Sequence, residues 1–286
     1  MKKENLKIIF IGTSQFAAII LDKLCQANLK PVLVITAPDK PVGRKQIITP
    51  PPAKLTAEKY DIPISQPKVI SNFQFPISKP DLIVVAAYGQ IIPKEILKIP
   101  RYGCLNVHPS LLPKYRGPSP IQAAILNGDK ETGVTIIKMT EKVDAGPIIA
   151  NIKYQISNIK INYETLHNKL AELGTDLLIK TIPLWIKGKI KEKLQDESKA
   201  SYTKILTKED GLINWRDPIE KIERQIRAFN PWPGAYTIYR GKMLKILEAD
   251  IVNNQLILKK VQLEGKKPMR FEDFLRGHQD FNLNLN

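Results

Sequence analysis

Leu6 to Gly12 (LKIIFIG) is a nearly continuous apolar run that stops at a glycine. A strand buried on both faces reads this way, because neither side of its pleat meets water. Ser14 then stands where a helix N-cap would, and Phe16 to Leu24 carries helical spacing. Pro31–Thr36, Asp81–Ala86 and Gly103–His108 are further short apolar runs, with helical stretches near 53–60 and 93–97 between them. Apolar strands alternating with helices predict an α/β domain, a mostly parallel sheet with helices on both faces.

The pattern then changes. Thr132–Met139 and Pro147–Tyr154 read as strands joined by a loop around Asp144-Ala145-Gly146. From Tyr163 to Ile186 a long helix is predicted, with Leu166, Leu170, Leu173, Leu177 and Leu178 near the i, i+3, i+4 rule. Residues 187–199 are polar and charged and read as a linker. Beyond it, a helical piece at Ile219–Phe229 precedes strand-like runs at 236–239, 243–249 and 255–261, which predict a small antiparallel barrel. The expected division is a domain over 1–188, a linker over 189–204 and a second domain over 205–286.

Composition sharpens this picture in three ways. The 286 residues suffice for two domains, and 43% apolar with 25% charged residues is a globular balance. The net charge is +16, spread as +12 over residues 1–200 and +4 over the rest, with no long run of one sign. A polyanionic partner is one reading of that excess; a merely lysine-rich surface is the other. Cys25 and Cys104 form no CxxC pair, so a zinc site is not expected, and free thiols suit a reducing compartment. The N-terminus has no signal-peptide core and no apolar run reaches the roughly 20 residues of a membrane helix, so a soluble, cytoplasmic protein is expected.

The richest chemistry lies in Leu105-Asn106-Val107-His108-Pro109-Ser110-Leu111-Leu112-Pro113-Lys114-Tyr115-Arg116-Gly117. In a strand over 104–107 side chains alternate, so Leu105 and Val107 face one way while Asn106 and His108 share the other. Pro109 has no N–H and ends the ladder. The carboxyl end of a parallel strand is where open α/β sheets build sites. An amide donor and an imidazole side by side suit acyl transfer to an amine: donors stabilise the charge developing on the acyl oxygen, and a group titrating near neutrality handles the amine proton. Taken alone, the triplet reads first as a capping Asn and a satisfied His. Asp144 is the third candidate, since a carboxylate orients an imidazole, though an aspartate in a turn needs no such role.

Other chemistries lack their residues. Only three histidines occur, His108, His167 and His278, with no HExxH, GxSxG or GxxxxGK[ST] pattern, and the first strand ends Gly12-Thr13-Ser14, not GxGxxG. A second basic feature is the stretch 37–54, with Lys40, Arg44, Lys45 and Lys54 among five prolines. It reads either as a stiff loop able to grip phosphates or as an ordinary solvated loop.

Asn106-x-His108-Pro-Ser-Leu-Leu-Pro-x-Tyr-Arg-Gly with Asp144-Ala-Gly downstream resembles the signature of the folate-dependent formyltransferases. Over nearly the whole chain the likeness narrows to the methionyl-tRNA formyltransferase family. It is carried by Pro38-Asp-Lys-Pro through Arg44, Pro120-Ile-Gln122, Asp210-Gly-Leu-Ile-Asn-Trp215, Ile226 to Tyr236, Glu264 to Met269 and Asp273 to Gly277. The resemblance implies a Rossmann-like catalytic domain and a C-terminal OB-like β-barrel that binds tRNA. It implies Asn106, His108 and Asp144 as the catalytic trio, Ser110, Leu111, Leu112 and Pro113 in the tetrahydrofolate site, and Arg44 with Lys45 in the tRNA loop. It implies formyl transfer from 10-formyltetrahydrofolate, a cosubstrate, to the amino group of initiator methionyl-tRNA, by a monomer with no metal and no permanently bound cofactor. Where the family's loop often continues Gly-Arg-Gly-Lys-Lys-Leu, this chain has Gly43-Arg44-Lys45-Gln46-Ile47-Ile48. An N-formyltransferase acting on an amino sugar nucleotide is the alternative, and a non-catalytic RNA-binding protein of the same fold a second.

Overall fold

The computed structural model describes residues 6–43, 45–74, 79–156 and 160–281. The first elements are β1 (Ile8–Gly12), α1 (Gln15–Gln26), β2 (Leu33–Ile35), β3 (Lys40–Val42), β4 (Ile47–Thr49), α2 (Pro52–Lys59), β5 (Ile64–Ser65) and β6 (Leu82–Ala86). They are followed by α3 (Lys94–Leu97), β7 (Cys104–His108), α4 (Pro120–Leu126), β8 (Glu131–Lys138), β9 (Ile148–Gln155) and α5 (Tyr163–Ile186). The last are α6 (Ile219–Phe229), β10 (Ala235–Tyr239), β11 (Lys242–Val252), β12 (Gln255–Leu263), β13 (Met269–Arg270) and α7 (Phe271–Gly277). Two compact units interleave along the chain: 1–118, 133–154 and 167–202 form one, and 119–132, 155–166 and 203–286 the other.

The first unit holds a seven-stranded sheet in the order β5-β2-β1-β6-β7-β8-β9. Strands β5 to β7 in that order are mutually parallel, and β8 is antiparallel to β7. This is the mixed, Rossmann-like sheet of an α/β fold, and its strand order reverses between β1 and β6. Every residue of β1 and β6 is buried, as their unbroken apolar runs require. One face packs Ile9, Ile11, Ile35, Ile83, Val85 and Cys104 with Tyr88, Ile92 and Ile96 of the 88–97 segment that contains α3. On the opposite face lie α1 and α5: a Cβ at Gly174 of α5 would stand 2.8 Å from Val107 Cγ1, and one at Gly12 would stand 2.6 Å from both Ala17 Cβ of α1 and the Ala86 carbonyl oxygen. Only glycine lets these helices come so close, so both are fixed against the strands that end at the site. Ser14 holds the N-cap position of α1, but its side chain makes no capping bond.

Thr13 laces the carboxyl ends of three strands together. Its N–H donates to the Ala87 carbonyl at 3.2 Å. Its hydroxyl donates to the Tyr88 carbonyl and accepts from the Ala37 N–H, both at 3.3 Å. The stretch 37–54, read from the sequence as a loop, contains an antiparallel hairpin of β3 and β4 before α2. Two strands of three residues, each with exposed side chains, left no alternation of buried positions to read.

In the second unit β10 to β13 form a four-stranded antiparallel sheet in chain order. The barrel expected there does not close: β10 and β13 remain edges among the described residues. Helices cover the apolar face in its place. Ile222 and Ile226 of α6 and Phe274 of α7 join Leu244, Ile246, Leu258 and Val261 in one buried cluster. Helix α6 is also tied by its arginines, as Arg224 Nε donates to the Leu126 carbonyl at 2.9 Å and Arg227 pairs with Glu223 at 2.6 Å.

Candidate active site

The site is built at the carboxyl end of β7. Val85 pairs with Asn106 and His108 with Thr135, so Asn106 and His108 share the face of Cys104 as strand alternation predicts. His108 is 4% exposed. Its Nε2 lies 2.9 Å from the Tyr115 carbonyl oxygen. That oxygen can only accept, so Nε2 donates and a neutral ring carries its hydrogen there. The other ring nitrogen, Nδ1, faces Asp144 Oδ2 at 3.5 Å.

Asp144 follows β8 in the loop leading to β9, with a left-handed backbone (φ 48°). Such conformations suit aspartate better than most residues and persist where the surroundings impose them. Three groups surround its carboxylate. Asn106 Nδ2 donates to Oδ1 at 3.2 Å, the Gly117 N–H donates to Oδ2 at 2.8 Å, and the His108 ring lies alongside. Asn106 is half-buried, and its second N–H has no partner among the described residues. Asn106, His108 and Asp144 therefore meet, although 38 positions separate the first from the last.

Ser110, Leu111, Leu112 and Pro113 wrap the next turn of chain. Ser110 is fully buried and its hydroxyl donates to the Lys114 carbonyl at 2.6 Å, so that side chain is spent within the loop. Thr135 of β8 pins the turn, accepting from the Leu112 N–H at 3.1 Å and donating to the Ser110 carbonyl at 2.7 Å. Leu112 is buried, while Leu111 and Pro113 keep part of their surface.

The basic residues of 37–54 divide. Arg44 lies outside the described residues. Lys45 is exposed in the hairpin turn. Lys54 is held at 2.7 Å by Asp39, whose carboxylate also accepts from Gln66 at 2.7 Å. These bonds, from Gln66 first and then Lys54, hold the Asp39 carboxyl below its ordinary value. No group of three metal-ligating side chains occurs among the described residues, and no described helix is long and apolar enough to cross a membrane.

The partners of the trio were less legible than the trio itself. Tyr115 and Gly117 contribute backbone groups, which no residue type announces. Gln195 donates from Nε2 to the carbonyls of Asp144 and Gly146, each at 2.7 Å, from within a polar stretch that reads as linker.

The fold is that of a Rossmann-like α/β protein with an Asn-x-His strand end and an apposed aspartate, and comparison with known proteins names its class. The formyl transferase family model matches residues 6–182, and the model of the formyl transferase C-terminal domain matches 205–256. A methionyl-tRNA formyltransferase from Halalkalibacterium halodurans is 43% identical over 95% of this chain and 95% of its own. Among solved structures, a methionyl-tRNA formyltransferase from Clostridium thermocellum shares the fold at a TM-score of 0.60 and 21% identity, covering 90% of this chain and 98% of its own. An N-formyltransferase from Helicobacter canadensis, solved with folinic acid and dTDP-3-aminofucose, does so at 0.65 and 20%, covering 93% and 98%. The chain belongs to the formyl transferase family and, within it, to the methionyl-tRNA formyltransferases.

Proposed function

We propose that the chain transfers a formyl group from 10-formyltetrahydrofolate to the amino group of methionyl initiator tRNA, as a cytoplasmic monomer. The observation that carries the chemistry is the second N–H of Asn106, without a partner among the described residues and half-exposed beside the His108–Asp144 pair. When bound, the folate supplies an activated formyl carbon and a nitrogen leaving group. Asn106 is oriented by the bond it gives to Asp144, which leaves its second N–H for the formyl oxygen as negative charge builds there. The amine proton passes to His108 Nδ1, and the Asp144 carboxylate that faces it at 3.5 Å offsets the charge the ring then carries. From there it is available to the departing nitrogen. The partly exposed Leu111 and Pro113, on the pinned turn next to His108, offer an apolar flank for the folate.

For the nucleic acid, the net charge of +16, Lys45 exposed in the hairpin turn and the Arg44 that precedes it in the sequence suit phosphate contact. We assign residues 1–188 to catalysis and 205–286 to tRNA binding, with 189–204 running between them and its 193–202 part packed on the catalytic unit. The test is transfer of labelled formyl from the folate donor to initiator and elongator methionyl-tRNA, with an amino sugar nucleotide in parallel. Formylation of initiator tRNA above both is expected. Formylation of the sugar nucleotide alone would replace this reading with a small-amine formyltransferase.

A further inference from the structure

Residues 193–202 do more than connect. Lys193 exchanges backbone hydrogen bonds with Ile148 at 2.7 and 3.0 Å. Ser201 accepts at its carbonyl from the Arg116 N–H at 2.8 Å, donates its N–H to the Pro113 carbonyl at 3.3 Å, and accepts at its hydroxyl from the Tyr115 N–H at 2.9 Å. The segment thus binds the 113–116 loop beside His108 and the start of β9, just past the loop that carries Asp144.

One side chain joins those loops directly. Gln195 Nε2 spans the carbonyls of Asp144 and Gly146, while its Oε1 accepts from Arg116 Nε at 3.1 Å and from the terminal guanidinium nitrogen Nη2 at 2.9 Å. Arg116 is 1% exposed, and its guanidinium also reaches the Tyr202 hydroxyl at 3.1 Å and both oxygens of Glu197 at 2.7 and 2.9 Å. The amide has one satisfactory orientation here, because turning it over would set its N–H groups against a guanidinium and its oxygen against two carbonyls.

We infer that Gln195 is a positioning residue: it sets the distance between the 115–117 loop and the 144–146 loop, and so holds Asp144 against His108 and Asn106. Its effect on turnover rests on the formyl-transfer reading; its effect on geometry does not. The groups it spaces are the Tyr115 carbonyl and Gly117 N–H on one loop and the Asp144 carboxylate on the other. A small shift in such a constellation costs up to about a hundredfold in rate, even when the altered residue touches no substrate.

Gln195→Glu separates this role from simple bracing. The carboxylate keeps an acceptor toward Arg116 but sets an oxygen against the Asp144 and Gly146 carbonyls. Gln195→Met removes both sets of bonds at similar volume. The protein and both variants are labelled with nitrogen-15 histidine, of which the chain has three, and each ring is assigned by replacing the other two histidines in turn. Expected in both variants are a cooperative melt and a shift of the His108 ring signals with those of His167 and His278 in place. Expected in turnover is a kcat lower by about tenfold to a hundredfold, with KM for both substrates within about twofold. Unmoved His108 signals, or an unchanged kcat in Gln195→Glu, overturn the inference. So does a shift of all three histidines with loss of cooperative melting in both variants. A wild-type protein that transfers no formyl group would instead sink the proposed reaction, and the ring signals would still decide the role of Gln195.

Discussion

Asn106 donates from Nδ2 to Asp144 Oδ1 at 3.2 Å, a bond between one strand and the loop after the next. It uses one of the amide's two N–H groups and aims the other. In Asn106→Ala that aim is lost with no charge introduced. Turnover is expected to fall about 10²–10³-fold with KM for either substrate little changed, since the bond forms as charge develops. Steady-state kinetics with both substrates checks this, and near-full turnover would remove Asn106 from the reaction.

Asp144→Asn keeps the shape and removes the charge. Asparagine tolerates the left-handed backbone at φ 48°, so folding is expected to survive where alanine would be strained. The amide oxygen can still accept from the Gly117 N–H or from Asn106, but no carboxylate remains beside His108 Nδ1 to offset the charge the ring carries once it takes the amine proton. A loss of about 10²–10⁴ in kcat is expected, with a melting curve close to wild type. Equal loss of kcat and of folded protein would make Asp144 a structural residue.

The Arg116–Glu197 pair gives a pH signature. Hydrogen bonds from Arg116 hold the Glu197 carboxyl below its ordinary value. A carboxyl lowered in the folded state adds stability above its unfolded value, about 4.3, and loses it as pH falls through the lower folded value. Glu197→Gln does not titrate, so its melting temperature should fall less steeply than wild type from about pH 5 to about pH 3, with wild type the more stable at neutral pH. Calorimetry across that range checks it. The effect is modest, because Glu197 is largely exposed. Parallel curves would show that the pair contributes nothing.

Two lysines of the 37–54 segment should behave differently. Lys45 is exposed in the hairpin turn, with no ion pair among the described residues, whereas Lys54 is engaged by Asp39. The KM for charged tRNA should rise with salt, and Lys45→Ala should lower the logarithmic salt slope by about one. Lys54→Ala should leave the slope alone. A slope that Lys45→Ala does not move would place the phosphate contacts elsewhere.

Much was legible in the sequence by itself, because it concerns local rules. Unbroken apolar runs located β1, β2, β6 and β7, helical spacing located α1, α6 and the whole of α5 from Tyr163 to Ile186, and strand alternation put Asn106 and His108 on one face. Short exposed elements such as β3 and β4 escaped, having no buried face to set a period. The expected barrel proved an open sheet, because strand spacing does not say whether a sheet buries its apolar face on itself or under helices such as α6 and α7. Only the tertiary structure brought Asp144 to Asn106, split Lys54 from Lys45, and turned Gln195 from linker into a brace between two loops. Each of these is a hydrogen bond or ion pair between positions distant in the chain. Residue type fixes which groups can donate and accept, but which of them meet depends on how the packed strands and helices carry the loops.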